Sequence, residues 1–455
     1  MKLNNLNKIL LLVLSITIIT ISCQSNDNEK VVGSDLNLTQ FVDPFIGSGG
    51  HGHVFVGANV PFGGIQLGPS NFFKGWDWTS SYHNSDSIVK GFTHLHLSGT
   101  GCSDLGEFNI MPTVGKLKTW SGGNQTKIPG IVEDAWYLNY GEKKPDEAYA
   151  SLYSKETEVA KPGYYSVKLD DYDIEVELTA SERVGMHRYT FPEAKEGRII
   201  IDLSEANDDI TVDSYIKQIN ETTFEGYRFS KGWAEDQREY FTLVLSKPVT
   251  NFVLYNGNEK VKDTKKQGNY IKGFLEFETT KNEVIIVKMG LSPVSSKNAL
   301  ENIEAEIPHW NFDKVAEQAN VKWNKELSKI TIETPDLSKK KIFYTAMFHT
   351  MIAPNLFNDV NGDYRGTDKK VYSNPGFDNY TLFSLWDTYR ALHPLLTITQ
   401  PDRISDIVNS MLLIFEQQGK LPIWHLRGSE TNTMPGYSAI PVIVDACLKG
   451  FEGID

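Results

Sequence analysis

The sequence predicts a multidomain α+β protein: an N-terminal antiparallel β-sandwich domain over residues 39–300, a linker helix within 301–336, and a helical array over 337–455. Two observations carry this. Between about 40 and 300, short alternating or β-branched runs recur, bounded by turn residues and without helical intervals, as in antiparallel sheets packed face to face. Near Ser295 the apolar residues change to helical spacing.

The chain opens on a different kind of segment. Lys2 and Lys8 flank a short polar region ahead of an apolar run over 9–21, which is followed by Ser22, Cys23 and the polar stretch QSNDNEK. The run is short for a membrane span and has the layout of a secretory leader. A small residue before a cysteine makes 1–23 a bacterial lipoprotein signal, with Cys23 the acylated first residue and 24–38 a flexible tether. An ordinary signal peptide with an incidental cysteine is the alternative, because the box lacks its usual leucine.

In the sandwich, the runs 164–169, 172–181, 184–191, 197–204, 223–230, 239–246, 251–256, 270–279 and 283–292 read as strands. The stretch 311–330 then places Phe312, Val315, Ala316, Ala319, Trp323 and Leu327 on one face of a helix bracing two domains. Further helices are expected at 338–351, 383–394, 402–418 and 435–449, with Asp336 and Asp402 as caps behind Pro335 and Pro401. The long polar loop 358–380 between them is a functional candidate.

Composition excludes some partners. A net charge of −13 argues against nucleic acid or an anionic membrane surface. Only Cys102 and Cys447 follow the leader, so no disulfide framework is readable. No base can be assigned to activate Cys102, which reads as a structural thiol.

The stretch 43–104 concentrates the candidate chemistry. Five of the ten histidines lie here, His51, His53, His83, His94 and His96, among glycines that include Gly50. Trp76, Asp77 and Trp78 put flat apolar rings beside a carboxylate, which suits the faces and hydroxyls of a sugar. Such residues in loops form one wall of a binding site. His51-x-His53 and His94-x-His96 have a spacing open to zinc on a strand, but no third ligand is suggested and a shaped loop is favoured. No GxxxxGK[ST] string occurs, so phosphate cradling is dismissed. Two later carboxylates stand out: Asp387 after Trp386, open to capping its helix or pairing with Arg390, and Glu430, the first choice for an acid on local grounds.

These motifs also carry a resemblance. GGHGHVFVGANVPFG (49–63), GWDWTSSYH (75–83), GFTHLHLSGTGCSDLG (91–106), LTASERVGMHRYTFP (178–192), FSLWDTYRALHPL (383–395) and LPIWHLRGSET (421–431) resemble, in order, glycoside hydrolase family 92, the calcium-dependent exo-α-mannosidases. The resemblance implies removal of terminal α-mannose from glycans with inversion, and a catalytic (α/α)6 barrel of which 337–455 would be the first, incomplete part. It implies Ca2+ held by oxygen ligands and gripping two adjacent sugar hydroxyls, with most protein ligands outside this chain.

The implied substrate-binding set is Trp386, Asp387, Glu430 and His425 with Gly50, His51, His53, Trp76, Asp77, Trp78, His94 and His96. Family members carry the general acid in a Glu-Gly-Asn-x-Trp-Gln-Tyr segment and the base in Gly-Asn-Glu/Asp-Asp. Neither string occurs up to Asp455, so no catalytic residue is assigned in this chain, and acid and base are both expected beyond Asp455. Glu430 is therefore kept as a binding or supporting residue, with a capping box as the alternative. His425 stands where the family often has glutamate, which puts the local polar contacts in doubt.

The expectation is a C-terminally truncated, inactive fragment whose helices expose apolar stripes, exported and lipid-anchored toward the periplasm or cell surface. A non-hydrolytic glycan-binding lipoprotein, or another (α/α)6 sugar enzyme such as a phosphorylase or lyase, are the other readings. Oligomeric state is not readable.

Overall fold

Side chains along Thr223–Lys231 alternate between buried and half-exposed, so one face of the strand enters a dry layer and the other meets the surface. The same logic, repeated, builds two antiparallel sheets in the computed structural model, which describes residues 37–123 and 146–454. A seven-stranded sheet centres on Asn109–Val114, Ala194–Asp202 and Ile271–Thr279; a nine-stranded sheet centres on Gln237–Leu245, Glu283–Ser292 and Val184–Phe191. Aromatic pairs lock the inner faces together, Phe191 against Phe277 at 5.4 Å and Phe224 against Phe252 at 4.9 Å between centroids.

Expected strands at 164–169, 184–191, 251–256 and 283–292 have those bounds. Among the described residues ahead of 159, Asn109–Val114 is the one strand longer than three residues, and loops dominate. The expected leader 1–23 and nearly all of the tether lie outside the described residues. So does Asp455, the position beyond which the acid and base are expected. Leu38, the last tether residue, is buried, and its N–H donates to Asn324 Oδ1 at 2.8 Å.

Two helices, not one, follow the sandwich. Helix α1 (Ser296–Glu306) is capped by Ser295, whose Oγ accepts from the Asn298 N–H. It lies so close to the nine-stranded sheet that a Cβ on Gly290 would collide with the Ala299 carbonyl oxygen. Helix α2 (Phe312–Leu327) buries Phe312, Val315, Ala319, Trp323 and Leu327 of the expected stripe and leaves Ala316 half-buried. Trp323 Nε1 donates to the Asn59 carbonyl at 2.8 Å, pinning the helix to a sandwich loop.

Helix α3 (Leu337–His349) begins at Asp336, which accepts from the N–H groups of Ser338 and Lys339 as expected. The helix expected over 383–394 is broken. Phe383–Ser384 instead pairs as a short strand with Trp424–Leu426. A single helical turn, Leu385–Thr388, and helix α4 (Leu392–Thr399) follow. The restart puts Pro394 in the first turn of α4, where its missing N–H has no intrahelical acceptor to lose.

Helix α5 (Pro401–Gln418) corrects the cap expected at Asp402. Proline takes the first helical position, so the cap site falls on Gln400, and Asp402 enters the first turn, where its charge complements the helix dipole. Helix α6 is Ala439–Leu448. Ile398, Tyr437 and Leu448 are strongly exposed on this half.

The halves interlock. Phe62 from the glycine-rich loop belongs to the helical core, while Leu382, Trp424 and Leu426 belong to the sandwich core. From Leu38 onward the chain forms one compact unit rather than separable domains.

Candidate functional site

A cleft of about 380 Å³ opens where the sandwich meets the helical half. His96, Ser98, Gly99 and Thr100 enter from the sandwich; Asp387, His393 and Trp424 enter from the other side. Clefts between such units are common binding sites.

The sandwich wall is built from its hydrogen bonds. His96 Nδ1 donates to the Gln66 carbonyl at 2.8 Å, and Nε2 accepts from Thr93 Oγ1 at 2.9 Å. That tautomer is neutral, and burial pushes the ring pKa down to about 4. Ser98, Gly99 and Thr100 link the cleft to the neighbouring loop. The Gly99 N–H donates to the His53 carbonyl at 2.7 Å, and Thr79 Oγ1 donates to the Thr100 carbonyl at 2.8 Å.

In that loop Gly50 and His53 have left-handed φ values of 58° and 57°. Such a turn does not set two histidines side by side on a strand. His51 Nδ1 lies 2.6 Å from Asp77 Oδ1, and the exposed Trp76 ring meets the edge of His53 at 4.2 Å. The hydrogen bond from His51 lowers the Asp77 pKa. Gly101 allows the Trp76 indole to pack, since a Cβ there would lie 2.9 Å from its Nε1. Trp78 is built in: its Nε1 donates to Asp86 Oδ2 at 3.0 Å and its ring packs on His83.

On the opposite wall, Asp387 is exposed and its Oδ2 accepts from Ser384 Oγ at 2.6 Å. Arg390 donates to the Trp386 carbonyl at 3.1 Å, and no Asp387–Arg390 ion pair occurs among the described residues. Trp386 packs, partly buried, against the sandwich core. Leu382 lines the cleft at φ 63°, a left-handed conformation that a non-glycine residue holds only where its surroundings impose it.

Trp424 is held from two sides. The Glu430 carboxylate accepts three backbone N–H groups, from Ile423 at 2.9 Å, Trp424 at 3.1 Å and Asn432 at 2.8 Å. The ring packs on Trp233 of the sandwich with centroids 4.3 Å apart. Glu430 lies on the short strand Ser429–Glu430, so the capping-box reading is replaced by a hairpin brace.

Two expected contacts are turned inward. His94 donates from Nδ1 to the Phe108 carbonyl at 3.1 Å, and its Nε2 lies 3.0 Å from His187 Nε2. His187 Nδ1 accepts from Tyr189 OH at 2.8 Å, completing a buried neutral chain. His425 is closed between Thr381 Oγ1 at 3.1 Å and Thr367 Oγ1 at 3.2 Å. Burial pushes both His94 and His425 down to about 3. Neither ring lines the cleft; His94 and His96 follow the end of the strand Gly91–Thr93, so strand alternation does not set them on a common face.

Other cleft residues carried no sequence signal of their own. His349 ends helix α3 and His393 opens α4; burial lowers both, His393 to about 4. Their contacts with the cleft depend on helix packing. Cys102 has its thiol pushed up by burial and nearby Asp104, opposite to what a nucleophile needs.

Among the described residues no group of three or more His, Cys, Asp or Glu is placed to hold a metal. Asp387 is the one carboxylate among the described cleft-lining residues, and none of them is lysine or arginine. These residues do not form an oxygen cage for calcium. They present hydroxyls, neutral imidazoles, one carboxylate and an indole, which is chemistry for an uncharged polyhydroxylated ligand.

The glycosyl hydrolase family 92 N-terminal domain model matches residues 41–292, and the catalytic domain model of the same family matches 298–455. The chain belongs to glycosyl hydrolase family 92. The family GH92 α-mannosidase BT3965 from Bacteroides thetaiotaomicron is 36% identical with a TM-score of 0.86, over 92% of this chain and 56% of that one. Its complex with mannoimidazole gives the same TM-score over 54% of that chain. An uncharacterized secreted glycosidase from Arthroderma benhamiae is 25% identical over 91% of this chain and 50% of its own length. The inverting mannosidase BT2199 of B. thetaiotaomicron, 24% identical with a TM-score of 0.78, shares the fold over 92% of this chain and 54% of that one. The chain spans about half the length of these family members. No helix among the described residues is long and apolar enough to cross a membrane.

Proposed function

We propose that this family 92 chain forms the mannose-gripping part of an exported exo-acting α-mannosidase that removes terminal α-mannose from glycans with inversion. The observation that carries the reading is the shared cleft, with His96 and Ser98–Thr100 on one wall and Asp387 and Trp424 on the other. An indole offers a flat apolar face to a pyranose ring, and a carboxylate accepts from its hydroxyls. The mannoimidazole complex of the BT3965 relative adds support from a homologue.

Hydrolysis with inversion needs two carboxyl groups about 6.5–9.5 Å apart, one to protonate the leaving oxygen and one to activate water. Asp387 is the one carboxylate among the described cleft-lining residues, and its Oδ2 is already engaged by Ser384. Residues 1–455 alone therefore bind without turnover; in the complete enzyme an (α/α)6 barrel continuing beyond Asp455 supplies the acid and base. Calcium dependence belongs to that complete enzyme. Anchoring through Cys23, with the protein facing the periplasm or cell surface, belongs to the same proposal.

The absence of cationic side chains from the described cleft lining, together with neutral His96 and His393, leaves no counter-charge for phosphate or a uronate. That disfavours a phosphorylase or lyase. The test is release from an aryl α-mannoside with added calcium and then with chelator, alongside calorimetric binding of methyl α-mannoside. Binding without release is expected. Calcium-dependent turnover by these 455 residues contradicts the fragment reading, and no binding contradicts the site.

A further inference from the structure

The hairpin over 424–430 forms part of the cleft wall, yet its deepest anchor lies in the sandwich. Arg427 and Glu239 are almost fully buried, and Arg427 Nε donates to Glu239 Oε1 at 2.5 Å across 188 residues of sequence. Glu239 stands directly opposite Arg228 in the register of strands Thr223–Lys231 and Gln237–Leu245. Arg228 in turn pairs with Asp209 at 2.7 Å and Glu107 at 3.2 Å, and Asp104 accepts from Gln237 Nε2 at 2.6 Å. Three carboxylates thus pair with two guanidinium groups in a dry interior, with Asp104 close by. Arg427 is the one cation of this cluster that the helical half contributes.

We propose that Glu239 and Arg427 are positioning residues for the cleft: their ion pair sets where the hairpin docks and so where the Trp424 indole stands. Three geometric facts support this. Arg427 holds φ 42° and Gly428 φ 75°, and this left-handed turn is what delivers the guanidinium to Glu239. A single hydrogen bond carries the pair, since Glu239 Oε2 and Arg427 Nη1 have no hydrogen-bond partner among the described residues. Around that bond, Ser429 Oγ donates to the Asp236 carbonyl at 2.8 Å, and Lys369 Nζ donates to the Asp236 carbonyl at 2.7 Å and the Gly428 carbonyl at 2.5 Å. The docked hairpin then presses Trp424 onto Trp233, three residues ahead of Asp236.

The electrostatic reason is specific. Without Arg427, Glu239 would be a buried carboxylate left to share Arg228 with Asp209, so an undocked hairpin leaves the sandwich interior unbalanced. Docking and charge balance are therefore one event, which couples the sandwich to the geometry of the cleft.

The proposal rests on the cleft being the mannoside site, and its test separates the two ideas. Near-ultraviolet circular dichroism of the full chain reads the coupled Trp233–Trp424 pair, with Trp233→Phe marking the signal to be lost. Titration with methyl α-mannoside reads the cleft. Glu239→Gln and Arg427→Met are each expected to lose the coupled signal and to bind at least about tenfold more weakly, since small misplacements of binding groups are costly. Arg427→Lys restores part of both.

The double variant Glu239→Gln/Arg427→Met decides between positioning and mere stability, and it decides the matter even where a single variant fails to fold. It leaves no lone buried charge, so thermal stability recovers while the Trp signal and the affinity stay reduced. Wild-type Trp signal and affinity in the double variant overturn the proposal. A wild-type chain that binds no mannoside sinks the site reading instead, and the dichroism arm still judges the ion pair.

Discussion

Glu430 holds the backbone of Trp424: its Oε1 accepts the Trp424 N–H at 3.1 Å while Oε2 takes that of Ile423 at 2.9 Å. A carboxylate that local sequence suggests as a catalytic acid is thereby used as a brace. Both oxygens are engaged with backbone, which leaves little for a proton-transfer role.

Removing that brace has a measurable cost. Glu430→Ala deprives three N–H groups of their acceptor, and with partial rescue by water the loss is about 1–3 kcal/mol. Glu430→Gln keeps one acceptor oxygen but turns an NH2 toward another donor, and falls between the two. Urea midpoints at unchanged slope measure both; a midpoint for the alanine variant equal to the wild type would refute the brace.

Asp387 behaves oppositely. Its side chain is exposed and its recorded bond is with a local serine, Ser384. Asp387→Asn is expected to change stability by no more than about 0.5 kcal/mol, while methyl α-mannoside affinity drops about tenfold or more, the loss expected on removing a charge-assisted hydrogen bond. Unchanged affinity removes Asp387 from the site.

Gly185 guards the buried histidine chain. A Cβ there would stand 2.8 Å from His94 Cδ2 and 3.1 Å from its Nε2. Gly185→Ala is expected to cost about 1–3 kcal/mol through overpacking, read as a lowered Tm with an unaltered far-ultraviolet spectrum. A Tm equal to the wild type would show that the ring can shift aside.

Stability depends on pH from two directions. Burial holds His94 and His425 near 3 and His96 and His393 near 4, below the ordinary 6.5. The unfolded chain binds more protons than the folded one between those values, so stability is complete above about 6.5 and falls as the pH drops toward 3. Burial instead raises Glu107 to about 8 and Asp104 to about 7, with neighbouring Asp209 adding to both. Here the folded chain binds more protons from the ordinary carboxylate range up to 7–8, so these two groups lower stability over that whole interval and level off above it. His187 is also lowered by burial and Asp359 is also raised, to about 7, so the lowered histidines still outnumber the raised acids in the overlap, which puts the maximum near pH 6.5. Thermal melts across pH 4–9 test this, and Glu107→Gln is expected to make the alkaline limb shallower and the acid limb steeper.

The pattern of residues was enough for the strands at 164–169, 184–191, 251–256 and 283–292, for helices α2, α3, α5 and α6, and for the Asp336 cap. These rest on neighbours a few positions away, which periodicity and capping chemistry report directly. Motifs in order were likewise enough for the family. Helix α1 was hidden by its weak apolar stripe, and the helix expected over 383–394 was lost to a strand partner some forty residues on.

Sequence by itself determined the kinds of side chain available to the cleft and the order in which the chain delivers them. Tertiary structure alone decided which of them face it: His96 lines the wall while His94, two residues earlier, seals the core, and Glu430 and Arg427 support Trp424 rather than touch the opening. The reason is distance along the chain. His94 finds His187 across 93 residues and Arg427 finds Glu239 across 188, and in a dry interior each buried polar group must take whichever partner packing brings to it.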